Sequence, residues 1–238
     1  MVIGRRGGPT RQQSQQRSWP VPGALLLLSA FPVLAGVLRM VQLVGGPELI
    51  PADQRFAESP IPLAAHIVGA TTYLVIGVLQ LIPRFRRRHR AWHRRAGRLL
   101  VVAGMLVAGS AAWMTLFYAP KPGTGPLLVV LRLVFATAMT ASLVLGVTTI
   151  RRGDVVAHRA WMIRAYAIGL AAGTQAFTGG IVLALFGTGA LAGDLGKGAA
   201  WAINLAVAEW VIRRPAARAA SNRADRPSRL TADVGAVS

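Results

Sequence analysis

The chain has 238 residues, 27 basic and 8 acidic, for a formal net charge of +19. Yet 53% of its residues are hydrophobic and its mean hydropathy is +0.48. The apolar residues fall in runs of about 20, the length that crosses a bilayer's hydrocarbon core. That excludes a soluble nucleic-acid-binding module, and no nucleic acid partner is expected. The absence of cysteine excludes disulfides, thiolate metal sites, iron–sulfur clusters and covalently attached haem.

Residues 1–19 form a polar tail with Arg5, Arg6, Arg11 and Arg17 and are expected to be disordered. The first apolar run, 20–43, is too long for a cleaved signal peptide and lacks an A-x-A site. Further runs follow at 61–83, 99–119, 127–150 and 165–187. Each suffices for a membrane helix at a rise of about 1.5 Å per residue. A sixth, 199–212, is shorter, so its outer end includes Gly198 and the snorkelling stem of Lys197. The segment 215–238 is again polar, basic and expected to be disordered.

Sidedness follows from charge. The two tails with the adjoining Arg213 and Arg214, the loop 84–98 and the loop 151–164 together hold 22 of the 27 basic residues, and six crossings put all four on one side. The other side receives Arg55, Lys121 and Lys197, with the acids Glu48, Asp53, Glu58 and Asp194. The positive-inside rule makes the arginine-rich side cytoplasmic. The expected fold is an all-α integral membrane bundle of six transmembrane helices over residues 20–214, both termini cytoplasmic. Its expected partners are the lipid bilayer and anionic headgroups, each arginine near the surface contributing on the order of 1 kcal/mol.

Polar residues within the spans are few. His66 shares a helical face with Gly69, Tyr73, Gly77 and Gln80 in the second span. Such a face packs against protein, with His66 either bonded to a neighbour or serving as a ligand or proton-transfer group. Tyr166, Gly169, Gly173 and Gly180 form a similar face in the fifth span, with Thr174, Gln175 and Thr178 beside it and Asn204 in the sixth. Arg39 and Arg132 lie near outer helix ends and are expected to snorkel. Glu209, near the inner end of the sixth span, is expected to pair with a cytoplasmic arginine.

Two cytoplasmic segments carry most of the specificity: His89-Arg90-Ala91-Trp92-His93-Arg94-Arg95-Ala96-Gly97-Arg98, and the stretch from Arg151 to Arg164. Both contain the tetrapeptide HRAW. Each sets histidine, tryptophan and arginines where a helix enters the membrane, the arrangement of an interfacial anchor. The second reading is a ligand site. His93 and His158 lie on the same side of the membrane, each with glycines on its face. Two such histidines suit the iron of a haem b, and Arg94, Arg98, Arg159 and Arg164 suit its propionates.

These segments, with His66…Gly69, Gln80, Arg151-Arg152-Gly153-Asp154…His158-Arg159…Trp161-Met162-Ile163-Arg164 and Asn204…Glu209-Trp210, resemble a bacterial family of predicted membrane proteins, family 2306 of the domains of unknown function. The resemblance spans roughly 61–214 and implies a multi-helix protein of the bacterial cytoplasmic (inner) membrane. A fainter similarity is to the diheme transmembrane cytochromes b, whose histidines pair between helices two apart. It extends to one bis-histidine site here, because the fourth span has no histidine to face His66.

Three function classes therefore stand open. One is a membrane redox protein holding one b-type haem or a quinone at His93 and His158. Another is a small-solute or proton-linked transporter using His66, Gln80 and Gln175. The third is a non-catalytic protein binding lipid or a partner through its arginine loops. Nothing in the sequence assigns an enzyme activity, a substrate or an oligomeric state, and no carboxylate pair or nucleophile–base pair points to a hydrolase.

Overall fold

The computed structural model describes residues 20–234 other than residue 57. The expected tail 1–19 lies outside the described residues, as do 235–238. In chain order the elements are α1 (Pro20–Leu43), a one-turn 3-10 helix (Gln54–Phe56), α2 (Pro60–Leu81), α3 (Pro83–Arg88), α4 (Arg90–Phe117), α5 (Pro126–Arg151), α6 (Val155–Gly169), α7 (Ala171–Phe186) and α8 (Ala190–Val234). The fold is all-α, with no strand among the described residues.

Local sequence sets the helix starts. Proline, which lacks an N–H and is preset for helical φ, opens α2, α3 and α5. Asp154 caps α6 by accepting from Ala157 N at 2.9 Å. Gly153, at φ +79°, makes the tight turn before it. The cap of α5 comes from a distant part of the chain: Asp194 of α8, fully buried, accepts from Gly125 N at 3.0 Å and Leu128 N at 3.1 Å. A carboxylate there also meets the positive end of the helix dipole.

The four helices α1, α2, α4 and α5 are each long and apolar enough to cross a membrane, and the bent pair α6–α7 makes a fifth candidate. Large apolar side chains cover the exterior, among them Leu27, Phe31, Val102, Phe117, Phe177 and Leu185. Such a surface suits lipid, whereas a soluble monomer rarely exposes extended apolar patches. The sixth expected run, 199–212, lies within α8, which continues through Val234 into the segment expected to be disordered.

Two expected boundaries move. α4 begins at Arg90 and α6 at Val155, well before the apolar runs at 99 and 165, because backbone hydrogen bonding makes a helix whether or not its side chains are apolar. The expected fifth span, 165–187, is instead two helices bent by 45° at Leu170. Gly169 and Gly173 flank the bend and let two different neighbours approach. A Cβ on Gly169 would lie 3.0 Å from the Tyr73 ring of α2, and one on Gly173 would overlap the Leu28 carbonyl of α1. Just before the bend, Ala167 O accepts from Asn204 Nδ2 at 3.1 Å, and Thr174 Oγ1 donates to Asn204 Oδ1 at 2.9 Å. A helix bent inside a membrane requires such side-chain partners, because lipid offers none.

The core sits where the two glycine faces meet. Tyr73 is wedged between Gly104 of α4 and Gly169 of α6, and the Tyr166 ring fills the space beside Gly77. Tyr166 Oη donates to Leu74 O at 3.1 Å, so the bundle centre is tied by polar as well as apolar contact.

Candidate functional site

Hairpin connections bring the loops 82–89 and 152–154 to one end of the bundle, and the Arg164–Glu209 pair brings that part of α8 beside them. This is the arginine-rich end. The loops 44–59 and 118–125 and the Asp194 cap mark the arginine-poor end.

A cavity of about 380 Å³ opens inside the arginine-poor half. Every described helix except α3 contributes to its wall. His66, Arg55, Arg132, Gln175, Thr71 and Thr115 are its polar residues of note, and no carboxylate lines it. Phe135 and Trp201 stack at 4.6 Å between centroids along one side. That size and that mixture of apolar wall and few polar groups are typical of small-molecule sites.

The hydrogen bonds determine how His66 presents itself. Its Nδ1 lies 3.2 Å from Val107 O and 3.1 Å from Ser110 Oγ. Val107 O can only accept, and Ser110's hydroxyl proton is spent on Leu106 O at 2.6 Å. Nδ1 therefore carries the proton of the neutral ring. Nε2 has no partner among the described residues, yet it is not sealed off.

Arg132, expected to snorkel, lines this cavity from α5 and makes no ion pair among the described residues. Arg55 reaches the cavity from the 3-10 helix but is already paired, with Asp53 at 2.5 Å. Its hydrogen bond to Asp53 holds that carboxyl below the usual carboxylate range against the opposing effect of burial, and raises its own pKa. Arg39, the other expected snorkeller, donates to Gln42 Oε1 at 2.7 Å and to Pro51 O at 3.0 Å. Gln42 in turn donates to Ile50 O. The loop that brings Arg55 and Phe56 to the cavity wall is thus tied down from within. Phe56 meets Tyr118 edge to face, and Tyr118 Oη donates to Ser59 O at 2.5 Å.

The other sequence candidates gather at the arginine-rich end. His93 Nδ1 bonds Gln80 Oε1, and Gln80 Nε2 donates to His93 O at 3.3 Å, a reciprocal clasp between α2 and α4. His158 Nδ1 donates to Gly146 O of α5 at 2.7 Å. Arg164 forms a two-point pair with Glu209, at 2.5 and 3.1 Å, while lying over the Trp161 ring at 4.6 Å. Arg94, Arg98 and Arg159 make no ion pair among the described residues. His66 belongs to the opposite half from His93 and His158, so the polar candidates divide between two sites. No cluster of three or more metal-binding side chains occurs among the described residues.

Sequence reasoning missed Asp194 and Arg132. Asp194 left no local signal, because it caps a helix 66 residues away. Arg132 left one: it sits inside an apolar run with no acid one turn away in either direction.

No curated protein and no solved structure matches the chain. A family model does, across residues 63–212, which include His66, Gln80, His93, Arg132, His158, Gln175 and Glu209. The chain belongs to the DUF2306 family of predicted membrane proteins.

Proposed function

We propose that this is a six-span protein of the bacterial cytoplasmic membrane, both termini cytoplasmic, that takes a small solute into the cavity of its outer half. The observation that carries the reading is the cavity itself: about 380 Å³, with His66, Arg132 and Gln175 in its wall. A sixth crossing is supported by α8, whose Asp194 meets the arginine-poor end and whose Glu209 meets Arg164 of the other. The arginine bias supports the orientation. On the cytoplasmic side, exposed arginines such as Arg94 and Arg98 contact anionic headgroups. His66 serves as the proton-sensitive group, because its Nε2 is free to accept.

The absence of cysteine makes the topology directly testable. Lys121→Cys should react with an impermeant maleimide in intact cells and Arg152→Cys only after permeabilisation; the reverse pattern overturns the orientation. For the site, Ala111→Phe should fill the cavity and abolish any solute-dependent rise in the thermal midpoint of protein in nanodiscs. An unchanged rise overturns the cavity as the site.

A second reading, a b-type haem at His93 and His158, has its own support. Both rings engage Nδ1 with an oxygen, leaving Nε2 for a metal, the usual arrangement of a ligating histidine. A Cβ added to Gly97, one turn from His93, would meet nothing within 4 Å, which leaves room there for a flat ligand. Arg94, Arg98 and Arg159 would hold propionates, Arg164 being committed to Glu209. When bound, haem would supply one-electron chemistry. A reduced-minus-oxidised spectrum without α and β bands, from protein expressed with added haem, overturns this reading.

A further inference from the structure

We propose that the solute of this cavity is a small organic monoanion, a carboxylate-type head on a compact apolar body, with Arg132 as its charge partner. The inference rests on the cavity reading above and names its ligand class. Arg132 lies six residues inside α5, about 9 Å along the axis from Pro126. A guanidinium holds its proton in any protein environment, so this charge requires compensation in the membrane interior.

Among the described residues that compensation stops at through-space attraction to Asp194, short of an ion pair. Arg132 makes no ion pair and no hydrogen bond there. Four acids lie towards this end, and Glu48 and Glu58 make no ion pair with Arg132. Asp194 is committed to the N–H groups of Gly125 and Leu128, and Asp53 is committed to Arg55. A cavity walled by Arg132 and Arg55 with no carboxylate repels cations and attracts one negative charge. Gln175 offers a further polar group beside it.

The rest of the wall defines the body of the ligand. Leu63, Ile67, Met139 and Ile168 are apolar, and the Phe135–Trp201 stack presents aromatic surface. A hydrated inorganic ion gains nothing from such a lining, whereas an aromatic or aliphatic acid buries its body there.

The test uses the full chain in nanodiscs and isothermal titration with benzoate and linear monocarboxylates from acetate to dodecanoate, each beside its neutral amide. At least one acid should bind about tenfold or more tighter than its amide. Arg132→Gln should erase that preference, and Arg132→Lys, which keeps the charge, should retain most of it. The lysine variant also separates a lost charge from a lost fold. Equal binding of acids and amides overturns the anion class and leaves the cavity reading standing. Full displacement of the acid by chloride at equal concentration overturns the organic body. Binding by none of the acids or amides overturns both readings.

Discussion

The two ends of the bundle treat polar side chains in opposite ways. At the arginine-rich end they satisfy one another: Gln80 clasps His93, Arg164 holds Glu209, and His158 is tied to the Gly146 carbonyl. In the other half, Arg132 and the Nε2 of His66 face a cavity and find no partner among the described residues. Closed polar pairs build a scaffold. Open ones retain interaction energy for a ligand, and natural proteins concentrate such unsatisfied groups at sites of function. Under the proposed solute-binding function, the working part of the molecule is the half with fewer charges.

The sharpest way to break this comparison is to attack the exception in the open half, Asp194. It is the buried acid on which the packing of α8 against α5 depends. Asp194→Ala leaves the Gly125 N–H unpaired and the Leu128 N–H with only a 3.3 Å bond to Gly125 O, and should cost about 2 kcal/mol of unfolding free energy in detergent. An effect within about 0.5 kcal/mol would mean that water or lipid headgroups replace the cap.

Glu209→Gln tests the closed end. Its pair with Arg164 has ideal two-point geometry, but both side chains keep roughly a quarter to a third of their exposure, at 26% and 31%. The expected loss is therefore about 1 kcal/mol, below that of a buried pair, with solute binding unaffected. Altered binding would show that the two ends are coupled.

Arg132→Met should go the other way. Removing a cation that has no direct ion pair among the described residues should leave stability unchanged or raise it by up to about 1 kcal/mol while abolishing anion binding. A large loss of stability would show that Arg132 has a structural partner and would erase the contrast between the halves.

Much of the fold was legible because lipid imposes a simple rule: apolar outside and along the spans, arginine at one end. The face Gly69–Tyr73–Gly77 is buried as its spacing implied, and Glu209 does pair with an arginine of the arginine-rich segments. What stayed hidden depends on tertiary placement. Hydropathy is blind to a bend, so the break at Leu170 could not be seen in a continuous apolar run. Helix starts at Arg90 and Val155 were hidden by their arginines, because apolar content marks the span and not the helix. The site was half legible. His66 and Gln175 stood out as polar residues in apolar runs, whereas Arg132 was discounted as a snorkelling side chain because it lies near a helix end.

The smallest expected effect concerns the loop that brings Arg55 and Phe56 to the cavity wall, and it sharpens the contrast by asking whether the open half is also the looser one. Asp53 has a pKa depressed by Arg55, so its ionised form is favoured in the folded loop. A depressed carboxyl contributes stability above its unfolded value, near 3.8 here, and that contribution disappears as the pH falls through the folded value. The loop 44–59 should thus be indifferent to pH between about 8 and 5 and loosen below about 4. Hydrogen exchange at Arg55 and Phe56, compared with the same amides in Asp53→Asn, reads this directly. In the variant, protection relative to the intrinsic rate should be lower at neutral pH and should not fall further in acid. Because the pair is partly exposed, the gap should be a few-fold rather than orders of magnitude. If the wild-type loop shows the same protection factors at pH 3.5 and pH 7, its closure depends on Arg39, Gln42 and the Phe56–Tyr118 contact. That loop would then be held as firmly as the arginine-rich end.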